Sequence, residues 1–374
     1  MAQVPQPLDD RRHTFGGRRF SLFSVQNNTY CIPVDEAEEE RCDELHKIIR
    51  QVCGNRIVLV PPAQFPPPGV DEPLVLDCGF GNGAWIDDLL GVREYEDCKV
   101  VGVDIYLGSR DDDEDDDDDD EEEENDGLQE FERKRWNLNA PFRTDTSTSR
   151  LRREQFDLIN SRFLAEGINT NRWLSYIREL KALLKPGGWL QMVELELVFQ
   201  SDNGRLAPSA SEPLHVWSQW YSHTMELSDK NPRIGRLLGQ HLRTEGFDSV
   251  SVGPRRLEIG RWNSGPGLPD TDIRANMSKT IETLLLWPCA GALAGQRPPM
   301  SPDQYRAMVR GAQIQLQDDS LRLYCQVYVA PFDAAVFPLT MQQVHCIRTQ
   351  AAGRTSSTIM EEKILRCMAI WSSK

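Results

Sequence analysis

The stretch VLDCGFGNGAWIDDLL, residues 75–90, places the tightest limit on what this chain can fold into. Its apolar start is typical of a buried strand, and three glycines at alternate positions follow (Gly79, Gly81 and Gly83). Glycine tolerates the left-handed backbone of a tight turn and leaves room for a ligand beside the main chain. Apolar residues then recur at helical spacing (Trp85, Ile86, Leu89 and Leu90). The pattern predicts a strand, a turn and a helix, with a ligand site at the turn.

The alternation of strands and helices continues along the chain. Strand patterns occur in CKVVGVD, FDLINSRF, WLQMVELELVF and SLRLYCQVYVA, and helical patterns in NRWLSYIRELKALLKPGG and around residues 212–227, 232–245 and 273–284. Strands and helices that alternate with short turns are typical of an α/β fold. We therefore predict a mainly parallel sheet with helices on both faces.

Composition divides the chain into four parts. Residues 1–27 are rich in polar residues and arginine, which predicts a disordered arm or a targeting tract. Residues 28–73 hold a helical cap, with Asp35 and Glu38 placed as in a capping box, and then a proline-rich connector. The main domain is expected over residues 74–330. Residues 331–374 form a tail in which one helix face is expected (Met360, Ile364, Cys367 and Trp371).

An acidic run, DDDEDDDDDDEEEEND at residues 111–126, interrupts the main domain. It holds almost all of the formal net charge of −16, so the rest of the chain is close to neutral. A run of this composition cannot bury enough apolar surface to order itself, and we predict a disordered insertion. It is either a solvated loop or a docking site for a basic protein partner. The near-neutral remainder offers no basis for binding nucleic acid.

Cysteine usage and hydropathy indicate the cellular compartment in which the protein is expected. The nine cysteines include no C-x-x-C pair, which indicates a reducing environment and gives no zinc motif. No apolar run reaches the length of a membrane span, and the N-terminus lacks the apolar region of a signal peptide. We predict a soluble cytoplasmic or nuclear protein with no membrane attachment and no bound metal.

Asp104 points to a ribose-bearing cofactor. It ends the second strand, VVGVD, 21 residues after Gly83, where a carboxylate can accept hydrogen bonds from ribose hydroxyls. Two cofactor classes fit the turn. Gly79, Gly81 and Ala84 match the G-x-G-x-x-A pattern of dinucleotide enzymes, whereas the three glycines also match the G-x-G-x-G turn of S-adenosylmethionine enzymes. The Tyr-x-x-x-Lys pattern of some dehydrogenases, YEDCK, precedes the second strand, far from a substrate.

The order of the motifs favours the second class. The segments VLDCGFGNG, VVGVD, WNLNAPF, FDLINSRF and LLKPGGWLQMVELE together resemble the class I methyltransferases. More narrowly, the chain resembles the fungal LaeA-like (TAM-type) methyltransferases over residues 28–330. The narrower likeness rests on Trp85, on YCIPVDEAEEERCDELHKII and on PGGWLQMVELE. The resemblance implies a Rossmann-like seven-stranded sheet, an N-terminal helical cap and S-adenosyl-L-methionine as cofactor.

The resemblance also implies a set of cofactor contacts. The turn would hold the amino-acid and ribose parts through Asp77 and the three glycines, and Asp104 would bind the ribose hydroxyls. Asn137 and Leu138 would reach the adenine, where relatives often carry an acid, so the amide is a departure. Ser161 and Arg162 would lie beside the methionine part. Each of these residues would otherwise serve only its turn or strand end.

The catalytic residues are marked less clearly, because transfer of a methyl group from a sulfonium mainly requires alignment and the exclusion of water. A general base is needed only for acceptors that must lose a proton. The candidates are Glu194 at the end of the fifth strand, and His215 and Tyr221 on a helix. Trp217 and Tyr221 share a helix face that lines either an aromatic acceptor pocket or the core.

Three functions remain open from the sequence. The first is methyl transfer to a small-molecule acceptor in fungal secondary metabolism. The second is a LaeA-like nuclear regulator that binds protein partners, through the acidic run or the tail, and has weak turnover. The third is a methyltransferase fold recruited for rearrangement chemistry without methyl transfer.

Overall fold

The computed structural model describes eight stretches of the chain: 11–61, 63–107, 131–142, 151–209, 211–247, 252–262, 269–291 and 299–333. The acidic run at 111–126 and the expected tail helix at 360–371 lie outside the described residues.

The N-terminal segment is ordered from residue 11, which corrects the prediction of a disordered arm. It forms strands β1 (Arg12–Phe15) and β2 (Arg18–Ser21), paired in a hairpin, and helix α1 (Leu22–Gln26). Phe20 is fully buried against Trp287, with ring centroids 5.4 Å apart. A guanidinium nitrogen of Arg18 lies 2.7 Å from the carboxylate of Asp35. Because Trp287 is remote in sequence, composition alone wrongly indicated disorder.

Helix α2 (Glu36–Val52) begins where the sequence predicts. The Asp35 carboxylate accepts a hydrogen bond from the backbone N–H of Glu38 at 3.1 Å, which confirms the N-cap. The Glu38 carboxylate turns to the guanidinium of Arg41, 2.6 Å away, instead of back to the cap as in a capping box. The buried stripe of α2 holds it against the body of the protein (Leu45, Ile48 and Ile49).

Seven strands form the central sheet: β3 (Leu74–Cys78), β4 (Lys99–Asp104), β5 (Glu132–Arg135), β6 (Phe156–Arg162), β7 (Leu184–Ser201), β8 (Gly253–Ile259) and β9 (Leu323–Asp333). Their order in the sheet is β5-β4-β3-β6-β7-β9-β8. Strand β9 is antiparallel to β7 and β8, and the other neighbours are parallel. The predicted mainly parallel sheet is confirmed.

Six more α-helices lie in the described stretches: α3 (Ala84–Leu90), α4 (Trp173–Leu183), α5 (Pro213–Leu227), α6 (Ile234–Thr244), α7 (Asp270–Thr283) and α8 (Pro302–Leu316). Successive residues of a strand point to opposite faces. Accordingly, Val75 lies in one buried cluster with Ile86 of α3, and Leu76 lies in another with Ile177 of α4. Helices therefore cover both faces, as predicted.

The strand order creates a crevice beside β3. From β3 the chain adds β4 and β5 on one side, and it then returns to add β6 and β7 on the other. Ligands of open α/β sheets bind outside the carboxyl ends of the strands at such a reversal.

Within the described stretches, no helix combines the length and the apolar composition needed to cross a membrane.

Candidate active site

A cavity of about 210 Å³ lies at the carboxyl ends of the parallel strands. Its floor comes from the residues at the ends of β3, β4, β5, β6 and β7, and its roof from residues 29–34, α2 and α7. Most of the predicted cofactor residues line it (Asp77, Gly79, Gly81, Asp104, Asn137, Leu138 and Arg162). Glu194 also lines it. Five separate segments of the sequence are thus brought to one site.

The glycine turn is shaped for close approach to the backbone. All three glycines have positive φ, and Gly81, with φ 60°, has open space where a side chain would begin. A Cβ on Gly79 would lie 2.3 Å from the Leu164 side chain. Gly83 serves as the N-cap of α3 and is not among the cavity residues. The turn is tied to α2, because the Asn82 side chain donates to the Asp43 carboxylate at 2.6 Å.

Asp104 closes the far side of the turn. One of its carboxylate oxygens accepts from the backbone N–H of Gly81 and the other from that of Tyr106, both at 3.0 Å. Burial raises the pKa of this carboxyl, against the opposing effect of those hydrogen bonds. Each carboxylate oxygen has a second lone pair, so the group can still accept from a ligand hydroxyl.

The segment after β5 presents polar donors to the cavity. The side-chain oxygen of Asn137 accepts from the backbone N–H of Asn139 at 3.0 Å, whereas its amide N–H₂ has no partner among the described residues. Trp136 also lines the cavity, and its buried indole N–H has no partner in the described part of the chain. A buried donor without a partner is costly, so this indole N–H is open to an acceptor on a ligand or a water molecule.

Asp77 belongs to a polar ladder that crosses three strands. The Asn160 side chain donates to the Asp77 carboxylate at 2.7 Å, and the Gln191 side chain donates to Asn160 at 2.8 Å. Burial raises the pKa of Asp77 to about 7. The carboxyl therefore has a structural role in the sheet in addition to its place in the cavity.

Arg162 is held by a chain of side chains that the sequence did not reveal. Its guanidinium donates to Nδ1 of His46 at 2.9 Å, and Nε2 of His46 lies 2.9 Å from the Asp88 carboxylate. Because arginine only donates, Nδ1 must accept and Nε2 must carry the proton. Burial lowers the pKa of His46 to about 4, so the ring is neutral. Ser161, the neighbour of Arg162, is buried against the Tyr176 hydroxyl and is not part of the cavity lining.

Glu194 positions a loop. One carboxylate oxygen accepts from the backbone N–H of Leu164 at 3.0 Å, and the other accepts from that of Ala165 at 3.2 Å. The side chain is almost fully buried, and this burial raises its pKa to about 8. The carboxyl thus fixes the segment that follows β6 while also lining the cavity.

The candidate residues on helix α5 lie in three different environments. Tyr221 donates through its hydroxyl to the Glu166 carboxylate at 2.6 Å, and Glu166 lines the cavity although the sequence gave it no signal. Tyr221 itself lines a second cavity of about 30 Å³. His215, the third catalytic candidate, is partly exposed and lines neither of these two cavities. Trp217 is fully buried and donates to the backbone oxygen of Ile281, as a core residue does.

The described residues contain no group of three or more His, Cys, Asp or Glu side chains arranged to hold a metal ion.

Comparison with known proteins places this chain in a family. Residues 46–252, more than half of the chain, match the model of the methyltransferase domain family. The chain belongs to this family. Methyltransferase pytC of Aspergillus terreus is 24% identical over 71% of this chain and 72% of its own. Secondary metabolism regulator laeA of Monascus pilosus is 24% identical over 70% of this chain and 64% of its own. N-methyltransferase gliN of Aspergillus fumigatus is 24% identical over 68% of this chain and 80% of its own.

The resemblance predicted from the motifs is therefore confirmed. The methyltransferase has the class I, Rossmann-like sheet, and its relatives include both methyltransferases and regulators of fungal secondary metabolism.

We expect the Glu194→Gln substitution to flatten the dependence of stability on pH. A folded-state pKa raised from 4.5 to about 8 favours folding at low pH, and this contribution is lost as the pH rises through about 8. The free energy of unfolding of the wild type should fall more steeply between about pH 5.5 and about pH 8.5 than that of the variant. Urea titrations at a series of pH values measure it, and parallel profiles would contradict the raised pKa.

Proposed function

We propose that this methyltransferase transfers the methyl group of S-adenosylmethionine to a small-molecule acceptor in fungal secondary metabolism. The observation that supports the proposal is a cavity whose lining brings two sets of residues together. We assign one end, with the glycine turn and Asp104, to the cofactor, and the other end, with Glu166, Glu194 and residues of α2 and α7, to a small acceptor. A cofactor and a small acceptor can meet in such a space.

The residues of the first end fit this cofactor. We propose that Asp104 accepts from the ribose hydroxyls and that the open space at Gly81 receives the ligand against bare backbone. The amide N–H₂ of Asn137, which has no partner among the described residues, can donate to an adenine nitrogen, with Leu138 beside the base. Arg41 is occupied by Glu38, so we assign Arg162 to the carboxylate of the methionine part.

The carboxyl groups of the cavity suit a cationic ligand. Six of them line it (Glu38, Glu39, Asp77, Asp104, Glu166 and Glu194), against two arginines. Burial raises the pKa of four of the six (Asp77, Asp104, Glu166 and Glu194), and a bound cation would favour their charged forms. When bound, S-adenosylmethionine supplies a methyl group on a positively charged sulfonium. The chain's own part is to hold the acceptor in line with that methyl group and to keep water out, for which apolar side chains of the roof are suited (Ile32, Val34 and Leu284).

A regulatory role is the second candidate, because the chain is 24% identical to laeA of Monascus pilosus and 22% identical to LAE1 of Cochliobolus heterostrophus. Both are named secondary metabolism regulators. In that case protein partners would bind through the acidic run or the tail, and the protein would act in the nucleus. The roofed acceptor end supports the small-molecule function over this one.

The cofactor proposal is tested with S-adenosylhomocysteine. We expect it to bind and to raise the melting temperature, because a ligand of the folded state stabilises that state. Asp104→Ala should weaken binding by about 0.5–1.5 kcal/mol, the value of a hydrogen bond to an uncharged group. Asp202→Ala, a surface change on the same residue type, serves as the control. Tight binding of NADH with no response to S-adenosylhomocysteine would contradict the proposal.

A further inference from the structure

The acceptor end of the cavity has an unusual charge distribution. We call this end the acceptor chamber, lined by Tyr30, Ile32, Glu38, Arg41, Glu166 and Glu194. Glu38 and Arg41 neutralise each other at 2.6 Å, and a further guanidinium nitrogen of Arg41 donates to Thr280. Neither Glu166 nor Glu194 has an ion pair with any described residue. Two carboxyl groups without a cation therefore remain in a largely apolar space.

The two carboxyl groups differ in the hydrogen bonds that they already accept. Both oxygens of Glu194 accept backbone N–H groups, from Leu164 and Ala165, and these bonds fix the loop. Glu166 is the next residue of that loop. Tyr221 donates to its Oε1, the backbone N–H of Glu166 itself also bonds the carboxylate, and Oε2 accepts no hydrogen bond from another described residue. Burial raises the pKa of Glu166, against the effect of these hydrogen bonds, and a cationic ligand would favour the charged form. Glu166 thus has lone pairs left for a ligand, on a segment that Glu194 fixes.

Tyr221 positions Glu166 and does not take part in proton transfer itself. Burial raises the pKa of the Tyr221 hydroxyl well above 10, so the hydroxyl keeps its proton and can only donate to the carboxylate. The ring of Tyr221 is stacked on Trp217 with centroids 5.5 Å apart and planes 5° from parallel. The direction of the Tyr221 hydroxyl, and with it the orientation of Glu166, is therefore set by the core.

Glu166 also lies on the wall between the two cavities. It lines the smaller cavity of about 30 Å³ as well as the larger one. The smaller cavity is lined mostly by apolar surface, with Thr224 and Lys230 among its polar side chains. Glu166 therefore borders both spaces, whereas its hydrogen-bond partner Tyr221 borders only the smaller one.

We propose that Glu166 binds the acceptor and that the acceptor is an apolar amine. The inference rests on the proposed methyl transfer. An ammonium group pairs with the free carboxylate, whereas a carboxylate, phosphate or phenolate acceptor would meet two carboxyl groups and no unpaired cation in the described chamber. The ammonium group gives one proton to Glu166, and the nitrogen lone pair then forms the N–C bond. The C–S bond breaks with its electron pair left on sulfur, and the product leaves as a methylated ammonium ion.

The test uses three probes of similar shape: 2-phenylethylamine, 2-phenylethanol and 3-phenylpropionate. Isothermal titration of the wild-type protein saturated with S-adenosylhomocysteine should show the amine binding at least about tenfold more tightly than the alcohol, and the acid more weakly than both. In Glu166→Gln the advantage of the amine should fall to within about twofold, since the paired charge is gone. Glu166→Asp keeps the charge and should retain a preference for the amine.

Matched controls separate this inference from the cofactor proposal. Glu226→Gln, the same change on the exposed face of α5, should leave the three affinities as in the wild type. The affinity for S-adenosylhomocysteine should be the same in the wild type and in Glu166→Gln. A wild-type protein that does not bind S-adenosylhomocysteine would overturn the proposed methyl transfer itself. With the cofactor product bound, an amine that binds no better than the alcohol, or a preference that survives in Glu166→Gln, would overturn the role of Glu166. If Glu166→Gln does not fold, the relative affinities of the wild-type protein for the amine, the alcohol and the acid still test the proposed preference for an amine.

Discussion

Replacement of Trp217 by alanine is expected to lower the free energy of unfolding by about 3–5 kcal/mol, the usual cost of deleting a buried aromatic side chain. The indole is fully buried, it stacks on Tyr221, and its ring lies 5.8 Å from that of Phe199. Its N–H donates to the backbone oxygen of Ile281 at 2.9 Å, so the variant also leaves that carbonyl without its donor. Denaturant titration followed by circular dichroism measures the loss.

The control for this substitution lies on the same helix. Trp220 is only partly buried at the edge of the core, so Trp220→Ala should cost clearly less than Trp217→Ala. A Trp217→Ala protein that is as stable as the wild type but has lost acceptor binding would contradict the core assignment. Such a result would instead support the alternative prediction, that the α5 face with Trp217 and Tyr221 lines an acceptor pocket.

Replacement of Arg162 by methionine is expected to weaken S-adenosylhomocysteine binding by about 10- to 100-fold, the range of a lost charge-assisted hydrogen bond. The guanidinium lines the cavity at the end of β6, beside the ladder that includes Asp77. His46 orients it, so His46→Ala should produce a smaller loss of the same kind. Titration calorimetry of the variants against the wild type gives the ratios.

A truncated ligand shows whether the loss comes from the proposed contact. The compound 5′-methylthioadenosine keeps the adenine and ribose but lacks the amino-acid part, so Arg162→Met should change its affinity by no more than about twofold. Arg50→Met removes a partly exposed cation that also binds Asp88, and it serves as the matched control. An equal loss for both ligands would mean that Arg162 supports the fold of the site and does not bind the methionine carboxylate.

The sequence determined those parts of the protein that depend on local chemistry. The glycine turn requires positive φ at Gly79, Gly81 and Gly83, and no other residue type adopts that backbone as easily. The Asp35 cap acts three residues along the same helix. The buried strands and amphipathic helices follow from the period of their apolar residues. For this reason the sheet, the helices on both faces and the position of Asp104 at a strand end were all predictable.

Only the tertiary structure decided which polar side chains meet. Arg162 reaches His46 across 116 positions of the sequence, Gln191 reaches Asn160 across 31, and Tyr221 reaches Glu166 across 55. The ordered N-terminal hairpin likewise depends on Trp287, and the separation of Tyr221 from His215 depends on which face of α5 is buried. Pairing of this kind leaves no periodic pattern in the sequence, because a hydrogen bond depends on two atoms within about 3 Å of each other and not on residue spacing. Glu166 became a candidate because folding set it between Tyr221 and the acceptor chamber. The sequence instead favoured Glu194, which lies at a strand end. In the folded protein, Glu194 accepts hydrogen bonds from the backbone of the loop that carries Glu166.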